Sequence, residues 1–143
     1  MKQISIPIIG NEPFPIEITV HKDWGYEKWF MNNELYCGKE LYIKSRAKSS
    51  KGKFHYHKIK DETFFVLKGK LILDFFYGNM AYYKTVTLTP NCSFRIVPQM
   101  RHRFKGGILG CKFIEVSTHH EDSDSYYDDQ LNIDIISGGS GGG

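Results

Sequence analysis

The feature that most constrains the fold of this chain is a succession of short segments rich in Tyr, Phe, Val, Ile and Thr, separated by Gly, Asn, Pro and Asp. Such segments favour β-strands, and the residues between them favour turns. No long window shows the 3.6-residue periodicity of an amphipathic helix, and 121–130 is expected to form at most one short helical turn. We therefore expect an all-β sandwich or barrel. The predicted strands are 4–9, 16–20, 26–31, 35–46, 53–57, 62–67, 71–77, 82–88, 93–97, 101–104 and 110–117.

Two tight turns are predicted between these strands. The sequence Tyr77-Gly78-Asn79-Met80 has the residue types that tolerate a positive φ, so it is expected to close a β-hairpin. The sequence Lys68-Gly69-Lys70 separates two apolar segments and is expected to form a second corner.

The length and composition indicate one folded domain. The chain has 143 residues, of which 41% are hydrophobic and 24% charged, so it can bury a core. Residues 137–143 consist of Ser and Gly only and read as a flexible linker. We therefore expect a single domain over 1–136, followed by a Gly/Ser linker or cloning remnant over 137–143.

Several broad classes are not expected. No stretch approaches the roughly 20 apolar residues of a membrane span, and the N-terminal segment lacks the pattern of a signal peptide. The three cysteines, Cys37, Cys92 and Cys111, are an odd number without CxxC spacing, which argues against a disulfide framework or a structural zinc knot. These observations favour a cytoplasmic protein with no membrane partner.

The charges are distributed unevenly. The formal net charge is +3, which does not by itself indicate a nucleic-acid partner. Residues 39–60 contain eight basic residues and one acid, whereas 121–136 contain six acids and no base. Each run is typical of a solvated face, but the basic run would also attract an anionic small molecule such as a sugar phosphate.

A candidate metal site lies in the centre of the sequence. Because side chains alternate along a strand, His55 and His57 project to the same face. Glu62 opens the next predicted strand and can return a carboxylate to that face, and His102 is a further candidate ligand. Imidazoles and a carboxylate suit a divalent transition metal such as Zn, Mn, Fe, Ni or Co, and the sequence does not say which.

These residues resemble the motifs of the cupin superfamily. His55-x-His57-x4-Glu62-x6-Gly69 resembles the first cupin motif, and the segment 91–102, which ends at His102, resembles the second. The resemblance implies a jelly-roll β-barrel in which His55, His57, Glu62 and His102 hold the metal. Asn91 and Gln99 stand where the second motif usually has glycine, so we expect an altered turn before His102.

The flanking segments resemble a narrower group. The segments 21–27, 113–118 and 121–126 are similar to the beginning and end of the cupin domain of type II mannose-6-phosphate isomerases. This resemblance implies a metal-dependent isomerase or epimerase acting on a sugar or sugar phosphate, through proton transfer and a metal-stabilised enediolate. Tyr127 stands where that group has an arginine, which argues against phosphate recognition of the isomerase kind.

Two residues are candidates for catalysis within this interpretation. Glu115 lies near the end of its predicted strand and is our candidate general base, although it could instead be a strand residue that faces solvent or pairs with a lysine. Lys44, with Arg46 on the same face, could clamp an anionic substrate or belong to the solvated basic run. The pair His119-His120 is expected to be solvated.

Two other functions remain open on the sequence alone. The same ligand set would serve an iron-dependent cupin dioxygenase, and the changes at Gln99 and Tyr127 would suit a carbohydrate-binding cupin without catalysis. We also expect a homodimer, because the apolar segment 4–9 could cover an exposed sheet edge across a two-fold interface.

Overall fold

A computed structural model describes residues 18–128, which form an all-β structure as predicted. Two short 3₁₀ turns, Ser49–Gly52 and Asp122–Asp124, interrupt the strands, and none of the helical segments in this range is long and apolar enough to span a membrane. The predicted strand 4–9 and the linker 137–143 lie outside the described residues, so the dimer stays a prediction. The strands are Ile18–Lys22 (β1), Gly25–Asn32 (β2), Tyr36–Ile43 (β3), Phe54–His57 (β4), Glu62–Tyr77 (β5), Tyr82–Leu88 (β6), Ser93–Ile96 (β7), His102–Thr118 (β8) and Ser125–Asp128 (β9).

The two long strands β5 and β8 hold the curled sheet together. One series of paired strands runs β1-β2-β3-β8-β4-β9, and β5 pairs with β6, β7 and β8. The first residue of β8, His102, pairs with His55 on β4, while the end of β8 pairs with β3. Because β8 joins β3, β4 and β5, side chains from all of these strands meet on the inner face of the sheet.

Two predicted strand breaks are wrong. The predicted strands 62–67 and 71–77 form one continuous strand, β5, and the corner expected at Gly69 is a β-bulge where the register with β8 shifts. Gly69 has φ 82°, and a Cβ there would lie 2.1 Å from the carbonyl oxygen of Gly110. The predicted strands 101–104 and 110–117 are likewise one strand, β8, so the glycines bend the sheet without ending its strands.

The inner face carries the hydrophobic core. Trp24 packs edge-on against Phe104 with ring centroids 5.7 Å apart, and Phe104 packs in the same way on Phe64 and Phe113. The hairpin predicted at 77–80 does join β5 to β6. The main buried cluster comprises Trp24, Leu41, Ile43, Phe64, Val66, Leu71, Leu73, Phe75, Leu88, Ile96, Phe104, Cys111 and Phe113.

Candidate metal centre

The structure brings the four predicted ligands together. His55 and His57 on β4 and His102 on β8 have ring nitrogens that lie within 4.8 Å of one another. Glu62, the first residue of β5, has Oε2 3.3 Å from Nε2 of His57 and Oε1 3.8 Å from Nε2 of His102. Three imidazoles and one carboxylate therefore face a common point on the inner side of the sheet.

Backbone carbonyl groups fix the orientation of two of these rings. Nδ1 of His57 donates to the carbonyl oxygen of Asp124 at 3.1 Å, and Nδ1 of His102 donates to that of Met100 at 2.9 Å. A carbonyl can only accept, so in each neutral ring the proton is on Nδ1 and Nε2 carries a lone pair. Both lone pairs point toward the Glu62 carboxylate. Metal-binding histidines are commonly oriented in this way, by a hydrogen bond from the ring nitrogen that does not bind the metal.

Burial keeps the histidines neutral. It lowers the pKa of His57 to about 4, with a further contribution from the positive charge of Lys60. Burial also lowers the pKa of His102, and it lowers that of His55 well below its usual value, with the neighbouring His102 and His57 adding to the shift. At neutral pH all three rings therefore present lone pairs rather than positive charges.

The residues present fit a divalent metal. Nε2 of His102 and Nδ1 of His55 are buried and have no hydrogen-bond partner. The nitrogen lone pairs repel the negative charge of the carboxylate unless a cation lies between them. Burying polar atoms without hydrogen-bond partners also lowers the stability of the folded protein. A transition metal with a preference for nitrogen and oxygen ligands would satisfy these atoms, whereas the donor set does not identify which metal.

Three of the four candidate ligands, His55, His57 and Glu62, line a small polar cavity of about 120 Å³. Glu115 on β8 lies in its wall, buried to 4% exposure, so it is not the solvent-facing strand residue that the sequence also allowed. Lys44 is exposed, with Nζ donating to the carbonyl of Asp23, and it is not part of this wall. The catalytic roles assigned to Glu115 and Lys44 stay predictions, but only Glu115 lies beside the candidate ligands.

A buried lysine that the sequence analysis did not single out links the ligand set to Glu115. Nζ of Lys60 lies 3.2 Å from Oε2 of Glu62, 3.0 Å from Oε2 of Glu115 and 3.0 Å from Nδ1 of His120. The lysine side chain is 4% exposed. Three acceptors surround its three N–H bonds, so Lys60 fixes the positions of both carboxylates.

The pKa values of the two buried carboxyl groups are shifted in opposite directions. Burial alone would raise the pKa of Glu115, but Lys39 and Lys60 outweigh it and hold this pKa well below the usual range. Burial raises the pKa of Glu62, and the nearby Lys60 only partly opposes this effect. Glu115 is therefore ionised at neutral pH, while Glu62 binds a proton more readily than an exposed glutamate does.

The acidic segment after β8 supports the site from behind. The carboxylate of Asp124 accepts hydrogen bonds from the backbone N–H groups of Lys58, Ile59 and Lys60 at 3.0–3.3 Å. Its backbone carbonyl also orients His57. This acid therefore shapes the loop that carries Lys60, and it is not simply part of a solvated charge run.

His120 was expected to be solvated, and that expectation is wrong. It is 7% exposed, lies in the cavity wall and has Nε2 2.9 Å from Oδ1 of Asp122. Burial and the positive charges of Lys39 and Lys60 lower its pKa to about 3. The companion His119 is partly buried, and its Nδ1 donates to the carbonyl of Asn33.

The turn before His102 keeps a left-handed backbone despite its substitutions. Asn91 has φ 70° and Gln99 has φ 74°, which is the region that glycine adopts most readily. The backbone N–H of Gln99 donates to the carbonyl of His57 at 2.7 Å. The altered turn expected from the sequence stays a prediction, and the hydrogen bond from Gln99 ties β4 to the segment that leads into β8.

Comparisons with known proteins support the fold assignment. No protein-family model matches the chain, and no curated protein sequence matches it. Among solved structures, the capsular polysaccharide assembling protein CapF from Staphylococcus aureus matches with a TM-score of 0.68 at 18% identity, over 80% of this chain and 32% of that one. Oxalate decarboxylase from Bacillus subtilis matches with a TM-score of 0.72 at 12% identity, over 96% and 38%. KdgF from Halomonas sp. matches with a TM-score of 0.62 at 13% identity, over 75% and 90%.

These neighbours are cupin-fold proteins, so the predicted cupin barrel is confirmed as a fold. The chain spans only about a third of the length of CapF. At these identities the likeness concerns the fold alone. The three clustered histidines have the spacing of residues that could hold a metal ion.

Proposed function

We propose that this protein is a metal-dependent enzyme that moves a proton between neighbouring carbon atoms of a sugar or sugar derivative, as an aldose–ketose isomerase or an epimerase does. The observation that carries the proposal is the position of Glu115, an ionised carboxylate in the same small cavity as the candidate ligands. Proton abstraction next to a carbonyl needs a base on one side and stabilisation of developing negative charge on the other. The cavity has groups suited to both tasks.

The candidate ligands would hold the metal, namely His55, His57, Glu62 and His102. A divalent metal bound there would supply Lewis-acid polarisation of a carbonyl or hydroxyl oxygen. Glu115 would accept the proton from carbon and return it, and its carboxylate would be available because it is already ionised. Lys60, 3.0 Å from Glu115 and 3.2 Å from Glu62, would keep the base and the metal-binding carboxylate in a fixed relation.

The size of the cavity restricts which part of a substrate enters. Ligand pockets commonly measure about 300–1,000 Å³, whereas this cavity measures about 120 Å³. Only the reacting end of a sugar would fit inside, with the rest of the molecule at the mouth. The resemblance to sugar-phosphate isomerases and the fold likeness to a capsular polysaccharide assembling protein both support a carbohydrate-related substrate.

The variant Glu115→Gln tests the proposal, because it keeps the shape of the side chain and removes the basic oxygen. In metal-loaded protein, exchange of the substrate's carbon-bound proton with deuterium from solvent should fall by about 10²–10⁴-fold. Metal content and substrate affinity should remain close to those of the original protein. Glu34→Gln, which changes an exposed acid in the β2–β3 turn, is the matched control and should exchange normally.

An unchanged exchange rate in Glu115→Gln would refute the role of Glu115. An absence of exchange over a panel of aldoses, ketoses and the corresponding sugar acids would refute the isomerase proposal. Oxygen consumption by iron-loaded protein, without exchange, would instead indicate the dioxygenase alternative.

A carbohydrate-binding protein without catalysis is the second candidate, and one observation favours it. Two buried lysines stabilise the ionised form of Glu115, and this lowers the affinity of the carboxylate for a proton. A weak base slows proton abstraction unless the substrate is strongly acidified. Saturable sugar binding with neither proton exchange nor oxygen uptake would support this candidate.

A further inference from the structure

A second buried lysine, Lys39, faces the cavity in a different way from Lys60. Lys39 projects inward from β3 between the buried residues Cys37 and Leu41, and its side chain is 4% exposed. Its Nζ lies over the face of the Trp29 ring, 4.0 Å from the ring centroid, so the ammonium group makes a cation–π contact. This contact fixes the position of the charge without using any of its N–H bonds.

The hydrogen-bonding capacity of Lys39 is not used by the described part of the protein. Its nearest carboxylate oxygens, on Glu27 and Glu115, are 3.7 and 3.8 Å from Nζ, which is beyond hydrogen-bond distance. Within the described range 18–128, the Lys39 side chain forms these two ion pairs but no hydrogen bond, although it lines the cavity. A buried ammonium with free donors is costly unless another acceptor reaches it.

The contrast with Lys60 indicates what the acceptor is. Lys60 donates hydrogen bonds to Glu115 and His120 and forms an ion pair with Glu62 at 3.2 Å. Lys39 belongs to the same cavity wall, but its ion pairs with Glu27 and Glu115 are longer, at 3.7 and 3.8 Å. Its N–H groups are therefore better placed than those of Lys60 to donate to a ligand in the cavity.

The charge of the cavity wall limits the charge of that ligand. Among its formally charged side chains, the wall contains four acids, Glu27, Glu62, Glu115 and Asp122, and three lysines, Lys22, Lys39 and Lys60. A bound divalent metal would change the balance from one negative charge to one positive charge. A ligand with a single negative charge would restore neutrality. A phosphate monoester carries about two negative charges at neutral pH and would leave the site with a net negative charge.

We propose that Lys39 binds a carboxylate group of the ligand, so that the substrates of this cavity are sugar acids or related hydroxy acids and not neutral sugars or sugar phosphates. Glu115 lies between Lys39 and the Lys60–Glu62 pair. A ligand with its carboxylate on Lys39 and its neighbouring oxygen toward the candidate metal ligands presents the carbon between these groups to Glu115. This proposal rests on the proposed function for the identity of the site, but it concerns ligand binding and needs no turnover.

The test compares L-lactate with L-lactamide, which have nearly the same shape and differ in charge. Isothermal titration calorimetry of zinc-loaded protein should show tighter binding of lactate. Lys39→Met, which removes the charge and preserves most of the side-chain volume, should reduce the preference for lactate by about 10–100-fold, the loss expected for a hydrogen bond to a charged group. Lys39→Arg should retain most of the preference.

Lys28→Met is the matched control, because Lys28 is exposed and pairs only with Glu40 on the outer face of the sheet. Its preference for lactate should equal that of the original protein. The ratio of the affinities for lactate and lactamide does not depend on the fraction of folded protein. Lys39→Gln provides a second neutral variant if Lys39→Met does not fold.

Equal affinity for lactate and lactamide in the original protein would overturn the proposal without any variant. A preference for lactate that survives in Lys39→Met or Lys39→Gln would overturn it as well. If lactate binding depends on Lys39 but no proton exchange occurs, the proposed isomerase function fails while this inference holds. If exchange occurs and lactate binding is independent of Lys39, this inference fails while the proposed isomerase function holds.

Discussion

Replacing Lys60 with methionine is expected to destabilise the metal-free protein strongly. The substitution removes an ammonium that lies 3.0–3.2 Å from both Glu62 and Glu115, each of which is at most 4% exposed. Breaking a buried ion pair by removing one partner costs about 3–5 kcal/mol, because the remaining charge is left uncompensated. Here two carboxylates share the lost partner, and Lys39, at 3.8 Å from Glu115, compensates only one of them. We therefore expect a loss of about 3–5 kcal/mol at pH 7.

The loss should depend on pH in a defined direction. In the original protein the lysines hold the pKa of Glu115 below its usual value. A carboxyl group with a depressed pKa in the folded state contributes stability above its unfolded pKa, of about 4.3 for Glu, and loses it as the pH falls. In Lys60→Met both carboxyl groups can protonate more easily, so the difference in unfolding free energy between the two proteins should be largest near pH 7 and should shrink as the pH falls to about 4 and below.

Urea denaturation of metal-free protein at pH 7 and at pH 4 measures both effects. Lys84→Met is the control, because Lys84 is exposed on β6, outside the cavity. This substitution should change the free energy of unfolding by less than about 0.5 kcal/mol. Added Zn²⁺ should recover part of the loss in Lys60→Met, because a bound cation replaces the missing positive charge near Glu62. A loss below about 1 kcal/mol at pH 7, or one that grows toward pH 4, would refute this account of the buried charges.

Much of the fold could be predicted because the strands are short segments rich in β-branched and aromatic residues, separated by residues that favour turns. The strands β2, β3, β4, β6 and β7 are found close to the predicted segments. The continuous strands β5 and β8 could not be predicted, since Gly69 and Gly110 have positive φ and look like strand ends in the sequence. Whether such a glycine ends a strand or makes a bulge depends on the neighbouring strand, and local sequence does not contain that information.

The candidate site was predictable to the extent that its residues follow strand alternation. His55, His57, Glu62 and His102 were identified from their spacing and the cupin motifs, and the structure brings them together. Lys39 alternates with Cys37, Leu41 and Ile43 on β3, a pattern that places a lysine on the inner face and could have distinguished it from the basic run. Lys60 and Asp124 lie outside strands, so no periodicity reveals them, and their roles depend on contacts between segments far apart in the chain.

Two further predictions concern the metal centre. His57→Ala should weaken Zn²⁺ binding by at least about 100-fold, which is more than the loss typical of changing a residue that only supports a ligand. Equilibrium dialysis measures this, with His21→Ala, a change of an exposed histidine, as the control. Stoichiometric zinc retained by His57→Ala at micromolar concentration would contradict the ligand assignment. The metal-free protein should also lose stability in mild acid. Burial lowers the pKa of His57 from 6.5 to about 4, so the unfolded chain binds a proton in this range that the folded chain does not. Stability must then fall as the pH decreases from about 6.5 to 4, by about 3 kcal/mol for His57 alone. Urea denaturation across this range checks the sign: His57→Ala should show a shallower decline than the original protein, and an equal slope in both would show that His57 is not held neutral by burial.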